Sequence, residues 1–598
     1  MVHKVCTTAL LITLTLLLVL TACTPATNTL KEITSSPVSI DILHVGDTHS
    51  YVIPHDVMLK FNGQDTLVSM GGWSLMMAAI DDIRLREKNV MLLHSGDTIE
   101  GTIWSTKFNG LADFEAMNKL RFDAVELGDH EFTQGPQGAA NLVNIVKFPV
   151  LAANLDVSAE PTLTGKVKPY TIVEYDGEKI GIIGLITPDT ETTCAPCRTI
   201  NFLPVEETAR KYISELNAQG INKIVVLSHL GYKADINLAE TVAGIDVIAG
   251  GHTHTLMGGL ELAQMGLKPE TPYPTELTGP SGDRVLIVHA WENNQMLGQV
   301  KVDFDAQGKI SSFNGQPFMP STNSFKLADN YGWNHLCSCM PQFSEIMKTV
   351  ANNPAIKIFW TNSEMDQVLL PFINEVSSEL NAVVAVAGDD LIRGANKGPG
   401  PIVADAYLWT ARKLHPEVQI ALADSYQVRS DIYKGTVLTN DLHMVLPAQN
   451  NLVTTKLTGS AIKTMLEAVI DSKIKSGNIP PFIEVSGLMM TIDISRKSGD
   501  RITALQVKNA DEKYEVMNMT AEHILVTTND LIDKSITADK AGWLKPFLSV
   551  FKAWTKGTSE YQDLGVKDVD ALIDYLRIQQ NVKNTGEERI TLLNPEAK

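Results

Sequence analysis

The sequence predicts an α/β protein: helices outside two stacked sheets, followed by a second α/β unit. Three observations predict it. Between Ser39 and Asp305, apolar runs of strand length alternate with stretches of helical periodicity. Five of these runs end in glycine or serine and then Asp or His, as expected if several strands deliver polar ends to one shared edge. Asp176-Gly177 separates two further apolar runs, a hairpin signal that makes the sheets mixed rather than purely parallel.

In chain order, Leu43-His44-Val45-Gly46-Asp47-Thr48-His49 is the first such end. In extended backbone residues i and i+2 point the same way, so Asp47 and His49 aim at one point past a strand. Residues 72–88 read as a helix with Leu75, Met76, Ala79, Ile80 and Ile83 near one face. Leu92-Leu93-His94-Ser95-Gly96-Asp97 and Leu127-Gly128-Asp129-His130-Glu131 are the second and third ends. Residues 137–146 and 205–216 are helices, 149–155 is a strand, and 171–175 and 179–186 are the hairpin arms. Leu227-Ser228-His229 and Gly250-Gly251-His252-Thr253-His254 complete the series. From 314 to 362 the pattern degrades and reads as a linker or insertion covering a domain junction, and 365–380 reads as a connecting helix. The second α/β unit follows, with strands at 419–423, 452–457 and 488–494. The divisions are a signal at 1–22, a tether at 23–37, a first domain at 38–320, a connection at 321–380 and a second domain at 381–598.

The N-terminal apolar run at 9–20 is too short to span a bilayer comfortably. Leu20-Thr21-Ala22-Cys23 behind it has the form of a bacterial lipoprotein signal. The expectation is lipid on Cys23, which holds the chain at the cell envelope, facing periplasm or exterior, without spanning the membrane. The Thr/Ser/Pro-rich run at 24–37 is the tether. Of the six cysteines, this leaves Cys194, Cys197, Cys337 and Cys339. Export favours disulfides, and four thiols allow three pairings. A net charge of −19 excludes a nucleic-acid polymer or an anionic lipid surface as a bulk partner. A phosphate substrate therefore needs a local positive centre, which metal ions supply.

The ligand-type residues are Asp47, His49, Asp97, Asp129, His229, His252 and His254. Carboxylate and imidazole together suit two divalent ions such as Mn, Zn, Fe or Co, with Asp97 the expected bridge. Two ions about 3.5–4 Å apart clamp an in-line displacement at phosphorus, and the water bridging them is the nucleophile. His130, beside Asp129, is placed to steady developing charge or protonate the leaving oxygen, so His130 and Asp97 are the catalytic candidates. His94 and His289 read as packed or supporting histidines, and Met70, Met76 and Met77 as core filler.

Asp-x-His, Gly-Asp, Gly-x-His-Glu, a lone strand-end His and Gly-His-x-His, in this order, resemble the calcineurin-like metallophosphoesterases. More narrowly, the chain resembles the bacterial 5′-nucleotidase family, which includes the periplasmic UDP-sugar hydrolase and 2′,3′-cyclic-nucleotide phosphodiesterases. The likeness continues through Ser228-His229-Leu230-Gly231-Tyr232, Lys456-Leu457-Thr458-Gly459, Val485-Ser486-Gly487-Leu488 and a tail at 570–590. The resemblance implies a four-layer αββα metal domain and a C-terminal α/β domain that binds the substrate's organic part. It also implies rotation between them about a hinge near 340–375. It puts Asp47, His49 and His254 on one ion, His229 and His252 on the other, and Asp97 between. The substrate, a small phosphate ester, is assigned Arg393, Arg429 and Asn450.

Four departures stand out. Asp129 replaces the family's Asn; its charge should bind metal more tightly and repel phosphate more. Thr133 replaces the Asp that orients the family's His, which should leave His130 less basic and a poorer stabiliser of charge. Asp424-Ser425-Tyr426-Gln427-Val428-Arg429 lacks the family's flexible glycines, and Tyr426 is expected simply to pack. The base-stacking Phe positions are Ala448 and Leu531. Two other readings stand beside phosphate-ester hydrolysis. Glu131-Phe132-Thr133 echoes relatives that cleave a sulfur–sulfur bond on a carrier protein, and Asp129 with Thr133 suits a non-catalytic metal-binding lipoprotein.

Overall fold

A computed structural model describes residues 36–193, 199–329, 332–394, 398–475, 483–509, 511–531, 561–583 and 586–594. The stretches expected to be a signal and most of a tether, with Cys23, Cys194 and Cys197, lie outside these residues.

Two large sheets form the centre of the first half. One runs in the order Ile310–Gly315, Gly298–Phe304, Val38–Val45, Val90–His94, Ala124–Glu126, Val150–Leu151, Val167–Lys168. The other runs Thr275–Thr278, Arg284–His289, Val247–Gly250, Ile224–His229, Glu178–Ile186, Tyr170–Tyr175. Each has parallel strands at its centre and antiparallel ones at an edge. Central strands covered on both faces read as continuous apolar runs rather than as alternating ones. Ile224–His229 is such a strand, with all six residues buried.

Three apolar layers hold this half together. Ile40, Ile42, Met91, Leu93, Ile182, Val225, Leu227, Val247 and Leu286 interdigitate between the sheets. On the outer face of the first sheet, Leu43, Val45 and Leu92 meet the helices Gly72–Arg86, Leu111–Leu120 and Pro136–Ile145. On the outer face of the second, Val226, Ile248 and Ile287 meet Val205–Ala218 and Tyr232–Thr241. The expected αββα order of layers is therefore present. Met76 and Met77 lie in the first helical layer and Met70 in a neighbouring core, as filler. The hairpin expected at Asp176-Gly177 is there, both residues left-handed and joining Tyr170–Tyr175 to Glu178–Ile186.

The stretch at 314–362, expected as a linker or insertion of degraded pattern, contains regular strands. Met319–Ala328 is a ten-residue strand paired with Gln64–Met70, Trp333–His335 and Ile356–Ile358. With the hairpin His55–Phe61/Gln64–Met70 these strands form a separate five-stranded sheet. Its pattern is irregular because the register shifts between Ser321 and Phe325, which breaks strict alternation. The helix Ser363–Leu380 packs on the first half, burying Met365, Leu369 and Val376 in its helical layer. Ser74 donates to Asp366 at 2.6 Å, and Lys119–Glu364 and Lys107–Glu379 pair at 2.6 and 2.7 Å.

Cys337 and Cys339 are exposed free thiols, against the disulfide expectation; the Cys339 N–H donates to the Cys337 Sγ at 3.3 Å. Among the described residues the second half contains a five-stranded, a four-stranded and a three-stranded sheet, with Pro399–Leu414 and Asp568–Gln579 packed together beside them. Among the described residues no helix is long and apolar enough to cross a membrane.

Candidate metal centre

The parallel strands of both sheets stop at one edge, and the chain turns sharply there. Asp47, His49, Asp97, His252 and His254 all have positive φ, between 48° and 76°. Asp47 and His49 converge not through the alternation of extended backbone but past the end of Val38–Val45, in left-handed backbone. Glycines make the turns possible. At Gly96, φ is +90° and a Cβ would come within 2.7 Å of the His229 ring; at Gly128 it would strike the Asp97 carboxylate.

All seven ligand-type residues converge. Asp97, Asp129, His229 and His252 form one group and Asp47, His49 and His254 a second, each with its donor atoms within 4.8 Å of one another. The Asp97 Oδ2 stands 3.1 Å from the His229 Nε2 and 4.0 Å from the His49 Nε2, between the groups. The Asp129 Oδ1 lies 3.2 Å from the His229 Nε2 and 3.1 Å from the His252 Nδ1.

The surroundings fix which nitrogen each imidazole presents. The His229 Nδ1 sits 2.6 Å from the Ser95 carbonyl and the His49 Nδ1 2.8 Å from the Glu100 carbonyl. A carbonyl only accepts, so each Nδ1 carries the proton and each Nε2 is left as a lone-pair donor. The His254 Nδ1 is held 2.5 Å from the Glu292 carboxylate, and its Nε2 faces the His49 Nε2 at 3.0 Å. Two lone pairs turned toward each other at that distance suit a cation between them. Asp47, Asp97 and Asp129 are buried, and among the described residues no Lys or Arg pairs with them. Burial opposes charge on Asp97 and Asp129, yet His229 holds the first and His252 the second below the usual carboxylate range. Three buried carboxylates and four imidazoles, three of them oriented by such partners, fit two divalent ions.

Residues outside the predicted set brace the centre. The Glu131 carboxylate accepts from the N–H groups of Asp97, Thr98 and Gly128, at 3.2, 2.7 and 2.7 Å. That bracing, with Phe132 buried in the helical layer, gives Glu131-Phe132-Thr133 a structural role. His94 is buried behind the site, its Nε2 3.1 Å from the Thr48 hydroxyl, and His289 pairs with Asp235 at 2.8 Å, so both are supporting residues. Glu292 and Glu100 are the orienting groups that sequence reasoning missed. For Glu292 the signal was available, because Arg284–His289 is one more parallel strand ending at the same edge.

The expectation for His130 needs correcting. The Thr133 hydroxyl donates to the His130 backbone carbonyl at 3.0 Å, and the imidazole Nδ1 instead meets the Glu100 carboxylate at 2.9 Å. Burial works against its charge, but Asp97 and Glu100 raise its pKa well above the usual histidine value. His130 is therefore more basic than expected, and its Nε2 lies 3.9 Å from the Asp97 Oδ2.

From the second half, Arg429 reaches toward the centre. Burial opposes its charge, and Tyr426, Glu292 and Glu100 sustain it. Its guanidinium lies 4.1 Å over the Tyr426 ring, and Tyr426 is 56% exposed, so this ring does not simply pack. The Gln449 amide donates to the Thr106 hydroxyl of the first half. Arg393 is tied through its backbone N–H and its Nε to Asp431, at 2.8 and 3.3 Å. The Asn450 carbonyl accepts from the Asp568 N–H at 2.9 Å. Leu531 is buried in a core cluster and presents no face to a ligand.

Residues 40–256 match the calcineurin-like phosphoesterase family model, and 386–534 match the 5′-nucleotidase C-terminal domain. A probable 5′-nucleotidase of Treponema pallidum is 30% identical over 564 residues, 91% of this chain and 92% of that protein. This chain belongs to the 5′-nucleotidase family. The NAD 5′-nucleotidase of Haemophilus influenzae is 31% identical, over 90% of both chains. The crystal structure of a 5′-nucleotidase precursor from Thermus thermophilus superposes with a TM-score of 0.77 at 32% identity, covering 93% of this chain and all of that one. Membership makes the chain a metal-dependent phosphoric ester hydrolase, and the clustered donors are its candidate ligands.

Proposed function

We propose that this protein hydrolyses nucleotides or closely related small phosphate monoesters, using two divalent ions drawn from Mn, Zn, Fe or Co. One observation supports this above the others: seven donors from five strand ends converge where Arg429 approaches from the second half. When bound, the ions polarise the phosphoryl oxygens and activate the attacking water. The chain's own groups do the rest. The carbonyls of Ser95 and Glu100 and the carboxylate of Glu292 orient three imidazoles. The Arg429 guanidinium offers planar donors to a substrate anion. His130, held at its Nδ1 by Glu100, keeps its Nε2 toward the reacting edge, where it stabilises negative charge or hands a proton to the leaving oxygen.

For the organic part of the substrate, Tyr426 beside Arg429 offers an exposed aromatic face in place of rings at Ala448 and Leu531. One face supplies stacking of about 1–3 kcal/mol per base, less than a two-sided sandwich, which favours a broad substrate range. The lipoprotein-type signal supports action at the cell envelope, facing periplasm or exterior, on an anchor at Cys23.

The test follows phosphate release by metal-loaded protein from nucleoside monophosphates and sugar phosphates, and ring opening to the monoester for cyclic phosphates. The expected result is turnover of several nucleotides, abolished by Asp97→Asn. Protein with both ions bound that releases phosphate from none of them refutes the proposal. Mass spectrometry of the protein extracted from bacterial membranes tests the anchor: an N-terminus other than lipidated Cys23 refutes it.

A further inference from the structure

Glu100 touches two imidazoles by two different groups. Its backbone carbonyl accepts from the His49 Nδ1 at 2.8 Å, and its carboxylate meets the His130 Nδ1 at 2.9 Å. The residue is held in left-handed backbone, φ +67°, an uncommon conformation for a side chain of this length. Its surroundings fix it there. The Glu100 N–H donates to the Ser105 hydroxyl at 3.0 Å, and the Thr102 hydroxyl donates to the Ser50 carbonyl at 2.6 Å. At the next residue, Gly101, a Cβ would come within 2.1 Å of the His49 carbonyl, so the loop lies directly on the His49 backbone.

We propose that Glu100 is the positioning residue for His130, supplying from the 98–102 loop the carboxylate that Thr133 does not. Thr133 spends its hydroxyl on the His130 carbonyl at 3.0 Å and leaves the ring to Glu100. A carboxylate accepting at Nδ1 keeps a proton on that nitrogen and leaves the Nε2 turned to the reacting edge. It also stops ring flipping, so the Nε2 stays on the side facing Asp97. The two histidines are coupled through this residue: their rings meet edge to face with centroids 5.0 Å apart. Any shift of the 98–102 loop that moves the Glu100 carbonyl off His49 also moves its carboxylate off His130.

This inference rests on the hydrolase reading, and its test separates the two. In metal-loaded protein acting on a nucleoside 5′-monophosphate, Glu100→Ala should lower kcat about 10–100-fold, as loss of an orienting partner does. KM and metal content should stay within about threefold, because the backbone carbonyl on His49 is kept. Glu100→Gln, which retains an acceptor without charge, should fall between. Thr133→Asp in the Glu100→Ala background should restore kcat at least about tenfold, a rescue that a merely structural role does not give. A Glu100→Ala protein with kcat within about twofold of the natural one overturns the inference, as does a loss of kcat that tracks a loss of metal. If the natural protein turns nothing over, the hydrolase reading falls. The 15N shifts of labelled histidine then test Glu100 alone: Nδ1 protonation of His130 should be present in the natural protein and lost in Glu100→Ala, and an unchanged tautomer refutes it.

Discussion

Replacing Glu292 tests whether the carboxylate behind His254 tunes the centre. The Glu292 Oε2 lies 2.5 Å from the His254 Nδ1. Burial opposes its ionisation, but His254 and then Arg393 hold its pKa at about 2, so it is charged at neutral pH. A charged acceptor at Nδ1 makes the opposite nitrogen a better donor, and removing such a partner costs about 10–100-fold in metal affinity. At about 1.4 kcal/mol per decade that is about 1.4–2.8 kcal/mol. Glu292→Gln keeps an acceptor but no charge and belongs at the lower end; Glu292→Ala belongs at the upper end. Asp47, His49 and His254 form a separate group from Asp97, Asp129, His229 and His252, so one ion should weaken and the other stay. Competition against a chromogenic chelator, with metal content measured at each step, resolves the two. Equal weakening of both ions, or of neither, refutes the reasoning, since the effect must pass through His254.

Asp129→Asn removes a negative charge 3.1 and 3.2 Å from two imidazoles, so metal should dissociate more readily in chelator competition while inorganic phosphate inhibits at lower concentration. Arg429→Ala should raise KM for nucleotides about 10–100-fold, from a charge-assisted contact of about 1.5–3 kcal/mol, as steady-state kinetics will show. Burial raises the Asp113 carboxyl from 3.8 to about 7, against a hydrogen bond from the Trp73 indole at 2.8 Å. The folded chain then holds this proton while the unfolded chain has lost it, so stability falls as pH rises from about 4 to about 7. At 1.36 kcal/mol per pH unit the fall is on the order of 4 kcal/mol. Asp113→Asn should flatten that segment of the denaturation profile and leave stability near pH 4 unchanged.

The metal-binding half was legible because its chemistry sits at strand ends. A strand buried on both faces reads as an unbroken apolar run, and the Asp or His that follows marks where it emerges. Helices such as Gly72–Arg86 were legible from their buried stripe of Leu75, Met76, Ala79, Ile80 and Ile83. What escaped was local conformation and pairing at a distance. Asn62-Gly63, both left-handed, is a hairpin signal between His55–Phe61 and Gln64–Met70, and it was readable in the sequence. Met319–Ala328 was hidden by its register shift. Glu100 was not legible at all, because nothing in Ile99-Glu100-Gly101 shows that a left-handed turn brings its carboxylate to a histidine thirty residues on.

That contrast follows from where the backbone is strained. Positive φ recurs at Asp47, His49, Asp97, Glu100, His252, His254 and Trp291, all at the edge where the parallel strands end. Left-handed backbone costs a residue with a side chain about 1–2 kcal/mol, so a cluster of seven needs a compensating interaction that none of them makes alone. The compensation visible here is mutual. His252 donates its N–H to the Asp47 carboxylate at 2.9 Å, Asp47 and His49 donate theirs to the carbonyls of Gly96 and Asp97 at 3.0 and 3.1 Å, and Asn293 donates to the Asp47 carbonyl at 2.7 Å. Each turn thus holds the next in its unfavourable conformation. The ligands can be named from residue types because metals select those types. The orienting groups cannot, because any residue with a carbonyl or a carboxylate serves once the turn has placed it.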